Sequence, residues 1–107
     1  MKNSRNARNW FISDFYCTKC GNKNFPIIRT TGKVRESGHL KKLFCIYCQK
    51  EVNMVEVRPR GKYSLDDFWV EFNYHNFDEN GNRIEPYRQF VSKIREGADI
   101  KWKINFI

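Results

Sequence analysis

Apolar positions along this chain change their period once, near residue 60. Before it they come in short β-type runs; after it they recur at helical spacing. "FPIIRTT" (25–31) and "KLFCIYC" (42–48) are rich in β-branched and aromatic residues and are predicted as strands. A third run, "EVNMVEVR" (51–58), is apolar at 52, 54, 55 and 57, so its alternation slips between 54 and 55. The slip predicts a bulge or a strand covered on both faces. Residues 15–58 therefore read as short strands around two tight turns, with "GKVRESGHLK" (32–41) as a polar exposed loop.

"RPRGK" (58–62) is a boundary: Pro59 cannot donate to a sheet and Gly61 breaks the pattern. Beyond it, Leu65, Phe68, Trp69 and Phe72 fall on one face of a helix. Ser64 and Asp67 are spaced for a capping box, with Asp in place of the usual Glu or Gln. Asp66 and Asp67 also suit the positive end of the helix dipole. Asp66, Asp67 and Glu71 are thus expected on the polar side, in structural roles. "FDENGNRI" reads as a turn or hairpin. Its Asp78, Asn80 and Asn82 resemble the start of a calcium loop, but Arg83 and Gln89 stand where glycine and glutamate are required. "EPYRQFVSKIREG" is a second helix, with Tyr87, Phe90, Val91 and Ile94 on one face and Gly97 as its stop. "DIKWKINF" alternates cleanly and predicts a terminal strand. Residues 1–14 are aperiodic and basic, an N-terminal arm whose Trp10, Phe11 and Ile12 are placed to pin its end to the body.

The chain has 107 residues and 17 aromatics (3 Trp, 5 Tyr, 9 Phe), enough for a modest core. A part smaller than about 70–80 residues needs a metal, disulfides or a partner to hold it. The net charge of +8 is unevenly spread. Residues 1–62 hold 14 basic against 4 acidic side chains, and residues 63–107 hold 6 against 8. A half so basic suits a polyanion, above all DNA or RNA, or an acidic protein surface. No secretory leader and no apolar run near 18 residues is visible, so no membrane span and a cytoplasmic location are expected. Thiols stay reduced there.

All four cysteines lie in two pairs, Cys17/Cys20 and Cys45/Cys48, in the pattern C-x2-C-x24-C-x2-C. Two intervening residues let a tight turn aim both thiolates at a metal about 2.3 Å away. Gly21, directly after Cys20, fits a turn that needs positive φ. Redox chemistry of the thioredoxin type uses one such pair, opening a helix. Disulfides imply a secreted chain, and an iron–sulfur cluster suits the paired spacing less well than zinc. The prediction is one structural Zn2+ per chain, held by Cys17, Cys20, Cys45 and Cys48. Four thiolates close the tetrahedron and leave no water to activate, so the metal is scaffold and not catalyst.

"FYCTKCGNK…GHLKKLFCIYC…EVNMVEVRP" resembles a zinc ribbon. More narrowly, Phe15 to Phe72 are similar to small zinc-ribbon proteins of Gram-positive bacteria and their phages. The cysteine pairs carry the class and "GHLKKLFCIYC" the narrower group. The resemblance brings no activity with it. It implies a contact module for nucleic acid or protein, in the cytoplasm of a bacterium or of a phage-infected host.

The expected contact residues are Arg29, Lys33, Arg35, His39, Lys41, Lys42, Arg58, Arg60 and Lys62, centred on the loop between two strands. They would neutralise backbone phosphates, with affinity falling in salt. His39 is expected on the surface of that loop: the metal needs no fifth ligand, and a His-based nuclease needs a His/Asn cluster that His39 and His75 do not form. Tyr47, Tyr63 and Phe25 are able to stack on bases, but a small domain is expected to bury them.

The expectation is an α+β protein: a basic arm (1–14), an N-terminal four-cysteine zinc ribbon of short antiparallel strands (15–60), and a C-terminal part (61–107) of two helices and a terminal strand packed against it. The expected function is that of a zinc-stabilised, non-enzymatic binding protein acting on nucleic acid or a nucleoprotein machine. The alternative is a protein-interaction module, of a phage-effector type, that inhibits or redirects a host protein through residues 63–107.

Overall fold

Residues 10–30, 37–58 and 60–97 are described by the computed structural model. They form strands β1 (Trp10–Cys17), β2 (Ile27–Thr30), β3 (Leu40–Cys45) and β4 (Lys50–Val57), then helices α1 (Leu65–Asn73) and α2 (Tyr87–Gly97). The fold is α+β, with one four-stranded sheet in the order β2-β1-β4-β3, antiparallel throughout. β1 changes partner halfway. Trp10–Ser13 pair with β2, and Asp14–Cys17 pair with β4. β3 and β4 pair regularly from Leu40↔Val55 to Cys45↔Lys50.

That regular register settles the slip in β4: the strand carries no bulge and is covered on both faces. Val52 and Met54 face a core with Phe15, Cys17 and Cys45. Val55 and Val57 face a second core with Tyr16, Tyr63 and Phe68. Strands and helices share this second core, whereas the first is built from strand and turn residues alone.

α1 begins where its capping box puts it. The Asp67 N–H donates to Ser64 Oγ at 3.4 Å, and the Ser64 N–H donates to Asp67 Oδ2 at 2.7 Å. Phe68 is fully buried, with ring centroids 5.3 Å from Tyr16 and 6.0 Å from Phe77. Burying such a ring contributes roughly 2–3 kcal/mol. After α1, Asp78 Oδ1 accepts from the N–H groups of Asn80 (2.9 Å) and Asn82 (2.8 Å), so "DENGN" is a turn. Asn53 of β4 ties this turn to the sheet, its Nδ2 donating to Gly81 O at 3.0 Å and Asn82 Oδ1 at 3.1 Å.

Several boundaries differ from the sequence reading. Residues 10–14 are strand and not arm, because β2 (for 10–13) and β4 (for Asp14) supply the partners they lack locally. β2 starts at Ile27, since Pro26 has no N–H to give a ladder. Residues 46–48 turn instead of extending β3, because the second cysteine pair bends the chain there. Residues 32–36 of the 32–41 loop and the terminal strand expected near 99–106 lie outside the described residues.

Candidate metal centre

The two tight turns lie at one end of the sheet, and each begins at the last residue of a strand, Cys17 of β1 and Cys45 of β3. They repeat one backbone geometry. Gly21 and Gln49 follow the second cysteines with φ of 77° and 58°. Their N–H groups donate back to Cys17 O at 2.9 Å and Cys45 O at 2.7 Å. At Gly21 positive φ is strain-free and also lets helix α1 close in, since a Cβ there would lie 3.0 Å from the Phe72 ring.

The geometry converges the four thiols. Cys17 Sγ lies 3.8 Å from Cys48 Sγ, and Cys20 Sγ lies 3.7 Å from Cys45 Sγ. All four sulfurs fall within 4.8 Å of one another. Disulfide sulfurs are about 2.05 Å apart, so these cysteines are free and placed as metal ligands. Backbone groups already point at the sulfurs. The N–H groups of Lys19 and Cys20 donate to Cys17 Sγ at 3.3 and 3.4 Å, and that of Cys48 donates to Cys45 Sγ at 3.4 Å. Asn24, buried between the turns, donates Nδ2–H to Cys45 Sγ at 3.5 Å and accepts the Ile46 N–H on Oδ1 at 3.0 Å.

Burial pushes the Cys17 thiol up to about 12. Burial acts the same way on Cys45, but the donors from Cys48, Asn24 and Tyr47 outweigh it and bring that thiol down to about 6. The donors thus favour the thiolate, the form that binds metal, at Cys45, whereas at Cys17 burial outweighs them.

The chain matches no family model, no curated protein and no solved structure. Its functional reading rests on the geometry. No helix among the described residues is long and apolar enough to cross a membrane.

The expected contact residues divide sharply. Three of them turn inward to Glu56, which is fully buried on β4. Arg29 donates Nε–H to Oε2 at 3.0 Å and Nη2–H to Oε1 at 2.8 Å. His39 Nε2 lies 2.5 Å from Oε1, and Arg58 Nη1 lies 3.6 Å from Oε2. Arg29, His39 and Arg58 are therefore half-buried parts of the scaffold, and His39 is no surface loop histidine. Burial alone would raise the Glu56 carboxyl, but Arg29, Ser13 and His39 hold it down at about 2. Lys42, Arg60 and Lys62 are exposed and Lys41 is half-buried. Lys33 and Arg35 lie outside the described residues.

A second buried carboxylate, Glu71 on α1, is held in the same manner. Arg83 donates Nε–H to Oε2 at 2.7 Å and Nη2–H to Oε1 at 2.9 Å, and Asn76 Nδ2 donates to Oε2 at 2.6 Å. The Tyr63 hydroxyl donates to Oε1. Arg83 Nη2 also reaches Gly38 O at 2.8 Å, so the residue joins the C-terminal part to the approach to β3. Glu71 is not on a solvated polar side, because the segment after α1 folds back over that flank. A sequence signal existed for Glu56, which shares the inward parity of Val52 and Met54. None existed for Glu71.

Proposed function

We propose that this chain is a zinc-stabilised, non-enzymatic binding protein that contacts nucleic acid through its basic half. The observation that carries the proposal is the closed four-thiol cluster. Four sulfurs about 2.3 Å from a tetrahedral zinc stand about 3.8 Å apart, and two of the Sγ pairs here stand at 3.8 and 3.7 Å. Thiolate ligands with no oxygen donor favour zinc over hard cations. Two turns of matching geometry, each closing a strand and each bearing a cysteine pair, support the zinc-ribbon reading of this half. Four protein ligands make the ion a fold-holding element, and no position is left for a reacting water.

The partner follows from charge. The surplus of basic residues lies in residues 1–62. Lys42, Arg60 and Lys62 remain exposed after Arg29, His39 and Arg58 are committed to Glu56. Affinity for generic DNA and RNA, measured from about 50 to 200 mM salt, is expected to fall with a log–log slope that corresponds to several phosphates. Lys42→Glu and Lys62→Glu are expected to weaken binding to every sequence alike. Binding no tighter than about 10⁻⁴ M at physiological salt removes the nucleic-acid reading, and favours a protein partner.

A further inference from the structure

Phe25 is 71% and Tyr47 58% exposed, against the expectation that a small domain buries its aromatics. Ile46, beside Tyr47, is 40% exposed. These three side chains are not scattered. The Ile46 N–H donates to Asn24 Oδ1 at 3.0 Å, and Asn24 precedes Phe25, so one hydrogen bond holds the two stretches side by side. The same Asn24 amide donates to Cys45 Sγ, which ties the arrangement to the metal centre. Pro26 fixes the backbone directly after Phe25. Exposed apolar side chains on adjoining, pre-set stretches mark a contact surface in a way that a single exposed ring does not.

The two stretches that carry these side chains also carry lysines. Residues 17–26 and 45–50 contain Lys19, Lys23 and Lys50 and no carboxylate. All three lysines are exposed. Lys23 lies 3.6 Å from Asp14, a screened surface pair, and Lys19 donates to the Glu79 carbonyl. With the Asp14 carboxylate beside Lys23 counted, the three ammonium groups balance the formal charge of −2 on a divalent ion with four thiolates, so this tip is aromatic and near neutral, with exposed lysines as local cations.

Resting on the nucleic-acid reading above, we infer that Phe25 and Tyr47 form a stacking platform for the unpaired bases of a single-stranded nucleic acid, with the neighbouring lysines on its phosphates. Exposed rings stack on bases that are not already stacked in a duplex, and every base has a face to offer, so the platform is tolerant of sequence.

The test uses the zinc-loaded full chain, with a labelled oligothymidylate and a labelled duplex of equal length, followed by anisotropy. The single strand is expected to bind tighter than the duplex. Phe25→Ala and Tyr47→Ala are each expected to weaken single-strand binding about five- to a hundredfold. Zinc content and thermal midpoint should stay unchanged, and Tyr47→Trp should retain binding. Equal affinity for strand and duplex, or alanine variants that bind the strand like the parent, overturns the platform and leaves nucleic-acid binding itself standing. No binding to either probe at low salt removes both proposals, and leaves the apolar tip to a protein partner.

Discussion

Arg29 on β2 reaches across β1 to grip the buried Glu56 of β4 with two hydrogen bonds, at 3.0 and 2.8 Å. The pair spans three strands of the sheet and lies on the side of the cysteine core, with the Arg29 guanidinium 5.8 Å from the centre of the Phe15 ring. It acts as a cross-brace where β1 leaves one partner for the other. Removing the cation leaves a carboxylate out of water and short of two hydrogen bonds, beside His39 and Arg58. Arg29→Ala is expected to destabilise the zinc-loaded protein by about 3–5 kcal/mol. Arg29→Met combined with Glu56→Met should recover much of that loss. Urea unfolding of the two variants reads both, and a double variant as unstable as the single one refutes the brace.

The same carboxyl sets an acid dependence. Its folded value of about 2 lies below the ordinary 4.5, so its contribution is complete above pH 4.5 and is lost as pH falls towards 2. The size is about 3 kcal/mol. Glu56→Gln should be less stable than the parent at pH 7, and the gap should narrow below pH 4.5. Metal loss at acid pH affects both proteins alike and drops out of the difference. A gap that stays constant with pH rules out an ionised, braced Glu56.

Arg83 performs the second bracing, and its guanidinium also lies 5.6 Å from the Tyr63 ring centre and 5.7 Å from that of Phe77. Arg83→Met keeps the stem and deletes the fork to Glu71. We expect a loss of about 3–5 kcal/mol. Amide exchange should rise in α1 and in residues 76–85 before it rises in β3 and β4. Uniform exchange across the chain would show that Arg83 does not specifically dock the C-terminal part.

Two backbone positions with positive φ should respond in opposite directions. Gly38 has φ of +95°, and a Cβ there would lie 2.6 Å from the Tyr63 ring. Gly38→Ala is expected to cost about 2–4 kcal/mol from strain and overpacking together. Gln49 has φ of 58° on an exposed turn. Gln49→Gly removes a left-handed side-chain penalty and should leave stability unchanged or raise it by up to about 1 kcal/mol. Thermal melts with saturating zinc compare the two, and a strongly destabilised Gln49→Gly would show that the side chain itself holds the turn.

Removal of the metal should unfold the cysteine end. One zinc per chain is expected by mass spectrometry under native conditions, and a strong chelator should abolish cooperative unfolding, because the binding energy is folding energy. Cys45→Ser, which removes a fully buried ligand, should reproduce the chelator's effect. A metal-free protein with an unchanged melt would make the cluster incidental to the fold.

Local rules reached most of this architecture. The capping box of Ser64 and Asp67, the Asp78 turn and the paired cysteines all depend on residues a few positions apart, and each formed where its spacing placed it. Aromatic residues were harder: Phe25 and Tyr47 have the composition of core and the exposure of surface. Nothing local distinguishes them, since burial depends on what the rest of the chain brings against a side chain.

The sequence alone could specify which four cysteines converge, because a tetrahedral thiolate site needs only two short turns and the residues between them are countable. Only the tertiary structure could decide the fate of the charges. Arg29 and Glu56 are 27 residues apart, and Glu71 and Arg83 are 12 apart. A charged side chain reads as solvated until its partner arrives from another strand or loop, and burial without that partner would cost several kcal/mol. The long-range pairing of β2, β1 and β4 therefore turned Arg29, His39 and Arg58 toward Glu56, and left Lys42, Arg60 and Lys62 exposed.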